Sequence, residues 1–385
     1  MLNKIKILHC ADLHLGSELT AVPGRARERR QELLKTFRKI TNICQDENID
    51  LLLIAGDLFE GANIDGSTIQ SVKEYLGSLD KTIAAIAPGN HDYASVDSPY
   101  ADEDWPDNVV VFRTGLEARE FPEHGFTIWG AAFAGTYCRE SLLVATQAVD
   151  RDPNQVHVCV LHGDLTSEGA DSVYNPVSES QLADSGFDYV ALGHIHKRTP
   201  ILFARNTAYA YSGCPDGRGF DELGEKGVYI GTVARGHVDL EFRRTCSRMY
   251  LTTEIDISGA ASETEILDQV LLSIADNYGS DYRDNYYKII LTGSIPAGYR
   301  VPVSQLTDSL LERLHFVKIK NRTRAELDYD QLAQEASLRG IYVRRMLERI
   351  ETAEARKDEN EVSRIRAALE IGMRAFEGEV QLSDY

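Results

Sequence analysis

An α/β fold is predicted by two features of the chain. Strand-like apolar runs alternate with helical segments to about residue 193, and five of those runs stop at residues of metal-binding type. Ile5-Lys6-Ile7-Leu8 leads into Asp12-Leu13-His14. A helix follows from about Arg25 to Glu47, because Leu33, Phe37, Ile40 and Cys44 recur at helical spacing and make one apolar stripe. Leu51-Leu52-Leu53-Ile54 leads into Gly56-Asp57, and Ile83-Ala84-Ala85-Ile86 into Gly89-Asn90-His91-Asp92. The acidic, aromatic stretch from Asp97 to Asp107 reads as a loop, since Pro99 and Pro106 interrupt any regular element. Val158-Cys159-Val160-Leu161 then leads into His162, and Tyr189-Val190-Ala191-Leu192 into Gly193-His194-Ile195-His196. In sheets with helical crossovers, ligands gather just beyond the carboxyl ends of the strands. Divalent ions take carboxylate, imidazole and amide oxygen donors. One D-x-H or H-x-H is weak evidence, because a single His or Asp is more often a satisfied core residue or a turn cap. Five pieces in order, each after its own strand, point to one site.

Shorter strands follow from Thr207 to Tyr211, Gly227 to Val233 and His237 to Arg243. A second unit begins near Ser247. Tyr250 to Ile257 reads as a strand, and Ser262-Glu263-Thr264-Glu265 as a capping box opening a helix with Ile266, Val270 and Ile274 on one face. Tyr287 to Leu291, a helix marked by Leu306, Leu310 and Leu314, and Phe316 to Lys320 complete a β-α-β-α-β unit of about 70 residues, small for a domain. From Asp328 onwards Leu332, Ala336, Val343, Leu347 and Ile350 follow helical spacing. So do Val362, Ile365, Leu369 and Phe376, with Asp358-Glu359-Asn360 between the two stripes. Such stripes either pack on their own protein or dock to another chain.

At 385 residues the chain can bury a full core and more than one domain. No run of about 18 apolar residues is present, so no spanning helix is expected, and the N-terminus passes straight into a strand without a signal-peptide pattern. Six dispersed cysteines without a C-x-x-C pair read as reduced thiols in a cytoplasm. The net charge of -19 argues against coating nucleic acid by general electrostatics. It leaves room for a local basic path drawn from Arg25, Arg27, Arg29 and Arg30, Lys197-Arg198, Arg243-Arg244, and Lys318, Lys320, Arg322 and Arg324. A solvated surface is the ordinary reading of each cluster.

The ordered set D-x-H, G-D, G-N-H-D, His and G-H-x-H, with the wording "HCADLHLG", "LIAGDLFE", "APGNHDY" and "FDYVALGHIHKR", resembles the calcineurin-like metallophosphoesterases. Within them it is similar to the SbcD- and YhaO-type phosphoesterases, bacterial relatives of the nuclease subunit used in double-strand-break repair. The superfamily resemblance covers roughly the first 245 residues. It implies a sandwich of two mixed β-sheets flanked by helices (αββα) over residues 1–246, a small α+β capping domain over 247–325, and C-terminal helices over 326–385. In that family the helices bind the coiled-coil root of an SMC-like ATPase. The resemblance further implies two divalent ions, usually manganese, and hydrolysis of DNA phosphodiester bonds by an activated water. It makes Asp57 the shared carboxylate, assigns Asp12, His14 and His196 to one ion, and assigns Asn90, His162 and His194 to the other. His91 would protonate the leaving oxygen, and Asp92 would either hold its ring or serve the turn. His9 reads as a residue supporting the ligands or as structural, not as a ligand, and Cys10 as a small buried side chain.

Two departures from the family stand out. The break-repair nucleases often place a His where Glu60 stands, which puts processive exonuclease action in doubt. Their Tyr-Pro-Gly-Ser segment is here Tyr211-Ser212-Gly213-Cys214, followed by a YhaO-like Asp216-Gly217-Arg218-Gly219. Arg218 is therefore either a phosphate contact or a turn-exposed arginine. The leading expectation is a DNA phosphodiesterase acting in DNA repair with an SMC-like ATPase, and a homodimer is left open. A cyclic-nucleotide or small phosphoester hydrolase would keep the ions but has no need of the added domain. A structural adaptor would not need a complete ligand set.

Overall fold

Strands and helices alternate as the apolar runs predict in a computed structural model that describes residues 4–61, 64–101, 104–143, 152, 154–167 and 171–376. The first half runs β1 (Lys4–Cys10), α1 (Ala26–Asp46), β2 (Leu51–Ile54), α2 (Gly66–Gly77), β3 (Ile83–Ile86), β4 (Val109–Val111), β5 (Glu117–Phe121), β6 (Phe126–Gly130) and β7 (Val156–His162). It continues through β8 (Leu165–Thr166), β9 (Val177–Ser178), α3 (Glu179–Ser185), β10 (Tyr189–Gly193), β11 (Leu202–Ala204), β12 (Thr207–Tyr211), β13 (Gly227–Ala234) and β14 (His237–Arg244). The chain divides into two compact units. One lies within Met1–Thr252, Asp281–Lys288 and Leu314–Val317; the other lies within Thr253–Ser280, Ile289–Arg313 and Lys318–Tyr385.

The first unit is an αββα sandwich. One six-stranded sheet has the order β14-β13-β1-β2-β3-β4, and the second has the order β11-β12-β10-β7-β6-β5. Both are mixed: β1, β2, β3 and β4 run parallel while β13 lies antiparallel to β1, and β6, β7, β10 and β12 run parallel between antiparallel edges. Side chains alternate across a strand, so each strand feeds two layers. Ile5, Ile7, Leu51 and Leu53 meet Val158, Val160, Tyr189 and Ala191 between the sheets. Leu8, Cys10, Leu52 and Ile54 face the other way, onto Leu33, Phe37, Ile40 and Cys44 of α1 and Val72 and Leu76 of α2. The outer face of the second sheet packs Cys159, Leu161, Val190 and Leu192 against Leu182 and Phe187. Buried on both faces, these strands must read as continuous apolar runs. His9 is structural, as expected: it lies buried between the sheets with Nδ1 2.9 Å from the Tyr189 hydroxyl.

Helix α1 begins after Arg25 and ends at Glu47, as its apolar stripe predicts. Its Arg29 is fully buried and leaves the proposed basic path. The guanidinium pairs with Asp216 and donates to Glu32 Oε2 at 2.8 Å and to the Gly217 carbonyl at 2.5 Å, while Asp216 Oδ2 accepts from Thr36 at 2.7 Å. The charge is buried because it ties the turn carrying Asp216-Gly217-Arg218 to α1. Arg29→Ala would strand the Asp216 carboxylate, so a loss of about 3–5 kcal/mol in a urea unfolding curve is expected.

The later elements are β15 (Tyr250–Asp256), α4 (Glu263–Tyr278), β16 (Tyr286–Thr292), β17 (Ser294–Ile295), α5 (Val303–Leu311), β18 (Phe316–Asn321), β19 (Arg324–Ala325), α6 (Tyr329–Ala333), α7 (Leu338–Ala355) and α8 (Glu359–Phe376). Strands β15, β16 and β18 form a sheet in that order. Ser262 caps α4 by accepting from Glu265 N, but Glu265 Oε2 accepts from Ala261 N and not from the cap residue, so the expected box is only half formed. The first tail stripe is not one helix. Ser337 accepts from Gly340 N and starts α7 afresh, which separates Leu332 on α6 from Val343. Both stripes are spent on each other: Leu332, Val343, Met346 and Ile350 bury against Ile365, Leu369 and Met373. Positions 102 and 103 of the expected acidic loop and residues 377–385 of the tail lie outside the described residues. Among the described residues no helix is long and apolar enough to cross a membrane.

Candidate metal centre

The seven expected ligands lie at or just beyond the ends of β1, β2, β3, β7 and β10, where loops from both sheets meet. Asp12 N donates to the Gly56 carbonyl at 3.0 Å and His14 N to the Asp57 carbonyl at 2.9 Å, so the first two loops are laced together. Asp12, His14, Asp57 and His194 have φ of 55°, 47°, 48° and 102°. The left-handed region costs a non-glycine residue free energy and persists only where the surroundings impose it. Four of the seven expected ligands share that strain. The glycines beside them are required by close approach. A Cβ on Gly89 would collide with Asp57 Oδ1, and one on Gly193 with the Ala55 carbonyl.

Asp57 Oδ2 lies 3.6 Å from His14 Nε2 and 3.3 Å from His162 Nε2, so one oxygen faces both expected ligand groups. On one side His14 Nε2 is 3.2 Å from His196 Nε2, and Asp12 Oδ1 is 3.9 Å from His196 Nε2. On the other, Asn90 Oδ1 is 3.0 Å from His162 Nε2 and 3.1 Å from His194 Nδ1, and those two nitrogens are 3.3 Å apart. Donors bound to a common ion at about 2.0–2.2 Å sit roughly 3–3.6 Å from one another when adjacent and up to about 4.4 Å when opposite, so the spacing suits two ions.

Each histidine turns one nitrogen inward and has the other held from outside. His14 Nδ1 is 2.7 Å from Glu60 Oε2, His162 Nδ1 is 2.9 Å from the Ala55 carbonyl, His194 Nε2 is 3.3 Å from Asp164 Oδ1, and His196 Nδ1 is 2.7 Å from Glu222 Oε1. At His162 and His196 the outer oxygen accepts a hydrogen bond, which fixes the N–H on that side and leaves a lone pair pointing inward, as metal-ligating imidazoles require; at His14 and His194 the outer carboxylate is a close charge partner. Lone pairs of His162, Asn90 and Asp57 then converge in a dry space, which favours a cation there. Without an ion, the carboxylates favour a proton in the same place, which marks the negative potential a cation would meet. Burial works to lower the His162 pKa, yet Asp57 and then Asp12 lift it to about 9. Burial and the neighbouring His162 push His194 down. Burial opposes ionisation of Asp57, but His162, His14 and His91 hold it well below the usual carboxylate range. The residues present fit a pair of divalent ions.

His91 sits at the rim, its side chain 42% exposed, with its backbone N–H donating to Asp57 Oδ1 at 2.9 Å. Its ring is not held by Asp92. The Asp92 carboxylate is buried and accepts from Gly89 N at 2.8 Å, Phe59 N at 3.1 Å and the Tyr100 hydroxyl at 2.6 Å, so of its two readings the geometry favours the turn. The partner of His91 is Glu60, whose Oε1 lies 3.2 Å from Nδ1, and that contact raises the His91 pKa.

Arg218 is no turn-exposed arginine. It donates to Glu60 Oε2 at 3.1 Å and to Glu222 Oε1 at 2.9 Å, and so clamps the two carboxylates that hold His14 and His196. Glu60, Asp164 and Glu222 were not among the sequence candidates for the site. Only Glu60 carried a signal, as the departure after Gly56-Asp57-Leu58-Phe59.

The calcineurin-like phosphoesterase family model matches residues 5–198. The metallophosphoesterase YhaO of Bacillus subtilis, itself uncharacterised, is 29% identical over 280 residues, covering 70% of this chain and 67% of that protein. The DNA double-strand break repair protein Mre11 of Methanopyrus kandleri is 26% identical over 280 residues, covering 68% and 59%. The SbcD subunit of the SbcCD nuclease of Bacillus subtilis is 29% identical over 259 residues, covering 57% and 64%. The matched region thus spans about three fifths to two thirds of these relatives.

Proposed function

This chain belongs to the calcineurin-like phosphoesterases, a family of metal-binding hydrolases, and from that premise we propose that it is a two-metal phosphodiesterase cleaving DNA. The observation that carries the reading is the set of four histidines, each with one nitrogen facing Glu60, Ala55, Asp164 or Glu222 and the other turned towards the two sides of Asp57. Asp12, His14, Asp57 and His196 would hold one ion, and Asp57, Asn90, His162 and His194 the other, with manganese the proposed metal. When bound, the ions supply Lewis acidity at a phosphoryl oxygen and an activated water. The chain's own residues fix the ligand rings, exclude water behind them, and keep His91 at the open rim where a leaving oxygen would take its proton. Asp92 supports the turn carrying His91.

DNA as substrate draws on the roles for which the nuclease and break-repair relatives are named. The same relatives support a place in DNA repair, and the family resemblance adds an SMC-like ATPase as partner. We keep the functional division 1–246, 247–325 and 326–385 as part of this proposal. With both tail stripes buried against each other, a partner would use what remains exposed on the tail helices, including Leu338, Ile341 and Ile371. Six free cysteines suit a reducing cytoplasm.

Glu60→Gln tests the outer layer. The amide loses the charge that pairs with His91, His14 and Arg218, and a drop of about 10–100-fold in metal affinity or rate is expected, the usual cost of an outer partner. Manganese titration with initial rates on a nucleotide diester measures both. Unchanged values would show that Glu60 only decorates the rim. The overall reading is tested by metal-supplemented assays on single-stranded, duplex and hairpin DNA beside cyclic nucleotides. Hydrolysis of cyclic nucleotides alone would transfer the proposal to small substrates.

A further inference from the structure

Beside the His194 ring an aromatic pair leads out to an exposed residue. The Tyr174 ring lies 4.7 Å from the His194 ring at a tilt of 37°, and the Tyr137 ring lies 5.9 Å from Tyr174 at 40°. Tyr137 is 62% exposed. Single exposed aromatics are ordinary on protein surfaces. This one differs because its segment is fastened to the centre. Cys138 N donates to the Val173 carbonyl at 2.8 Å, and Asn175 N returns a bond to the Cys138 carbonyl at 2.7 Å. Buried Asn175 then donates its amide to the carbonyl of His162 at 2.7 Å and accepts from Leu142 N at 2.6 Å. Asp164, which holds His194, donates its own N–H to the Tyr174 carbonyl at 2.8 Å. Both tyrosines are therefore set in place by groups that also set two of the expected ligands.

We propose that Tyr137 and Tyr174 form a nucleobase-stacking subsite beside His194, so that the site favours nucleotide phosphodiesters over diesters lacking a base. The inference rests on the phosphodiesterase reading and names its substrate class. A rigid, outward-facing ring can receive the face of any base without reading its edge, because every base offers a π-face. Tyrosine gives that contact at low entropic cost, having few rotatable bonds. Its place two ring contacts from the centre would put a base beside the phosphate under attack.

The test compares kcat/KM for thymidine 5′-(p-nitrophenyl phosphate) with that for methyl p-nitrophenyl phosphate, with manganese present. The two substrates share a leaving group and differ in the other ester group, a thymidine in one and a methyl in the other, so the Tyr137 variants isolate the part owed to the base. The ratio should exceed one in the wild type, fall about 5- to 100-fold in Tyr137→Ala, and stay within about two-fold of wild type in Tyr137→Phe. Because the ratio is normalised within each protein, partial misfolding of a variant does not move it. An unaltered ratio in Tyr137→Ala, or a wild-type ratio of one, would overturn the subsite while leaving the phosphodiesterase standing. Hydrolysis of neither diester by the wild type would bring down the phosphodiesterase reading, and the subsite with it.

Discussion

Asp57→Asn is expected to stop phosphodiester hydrolysis and to deplete both ions, a larger loss than the about 10–100-fold attached to outer partners. The substitution is chosen for what it preserves. Asparagine tolerates the left-handed backbone at φ 48°. Its amide oxygen can still accept the His91 N–H that Asp57 Oδ1 takes at 2.9 Å. What disappears is the anionic oxygen facing His14 at 3.6 Å and His162 at 3.3 Å. Elemental analysis should find the variant metal-poor, and a thermal melt in chelator should place it close to the wild type. Full activity in Asp57→Asn would show that no shared carboxylate is needed.

His91→Gln should separate proton delivery from ion binding. The ring lies outside the inner donor set and is held by Glu60, so the ions should remain. Cleavage of DNA should slow by about 10²–10⁴-fold, the usual worth of a positioned acid. A p-nitrophenyl diester, whose leaving group departs without a proton, should be affected far less. Equal losses on DNA and on the aryl diester would assign His91 another task.

The sandwich and the gathering of the seven candidate ligands were legible in the sequence because both are written locally. Alternate residues of Ile5-Lys6-Ile7-Leu8 feed two layers, and the ligands follow their strands within a few positions. The outer layer was not legible, because its members meet only through the fold. Glu222 reaches His196 across 26 residues, and Glu60 reaches His14 across a pair of loops laced by backbone bonds. Asp92 stayed open between two readings because neighbours in sequence need not touch: the turn that presents His91 outward points Asp92 inward to Tyr100. Arg29 read as surface charge because its acceptor, Asp216, stands 187 residues away. In the tail, periodicity identified apolar stripes but not what covers them, and α7 and α8 cover each other.

On the proposed mechanism, two divalent ions shared through Asp57 are what allow this chain to cleave a phosphodiester. That mechanism is tested most directly by titrating manganese into metal-stripped protein while recording bound metal and the hydrolysis of a nucleotide p-nitrophenyl diester. No hydrolysis is expected before metal is added, and the rate should level off at two ions per chain. Hydrolysis by the stripped protein, or a full rate with a single ion bound, would contradict the mechanism.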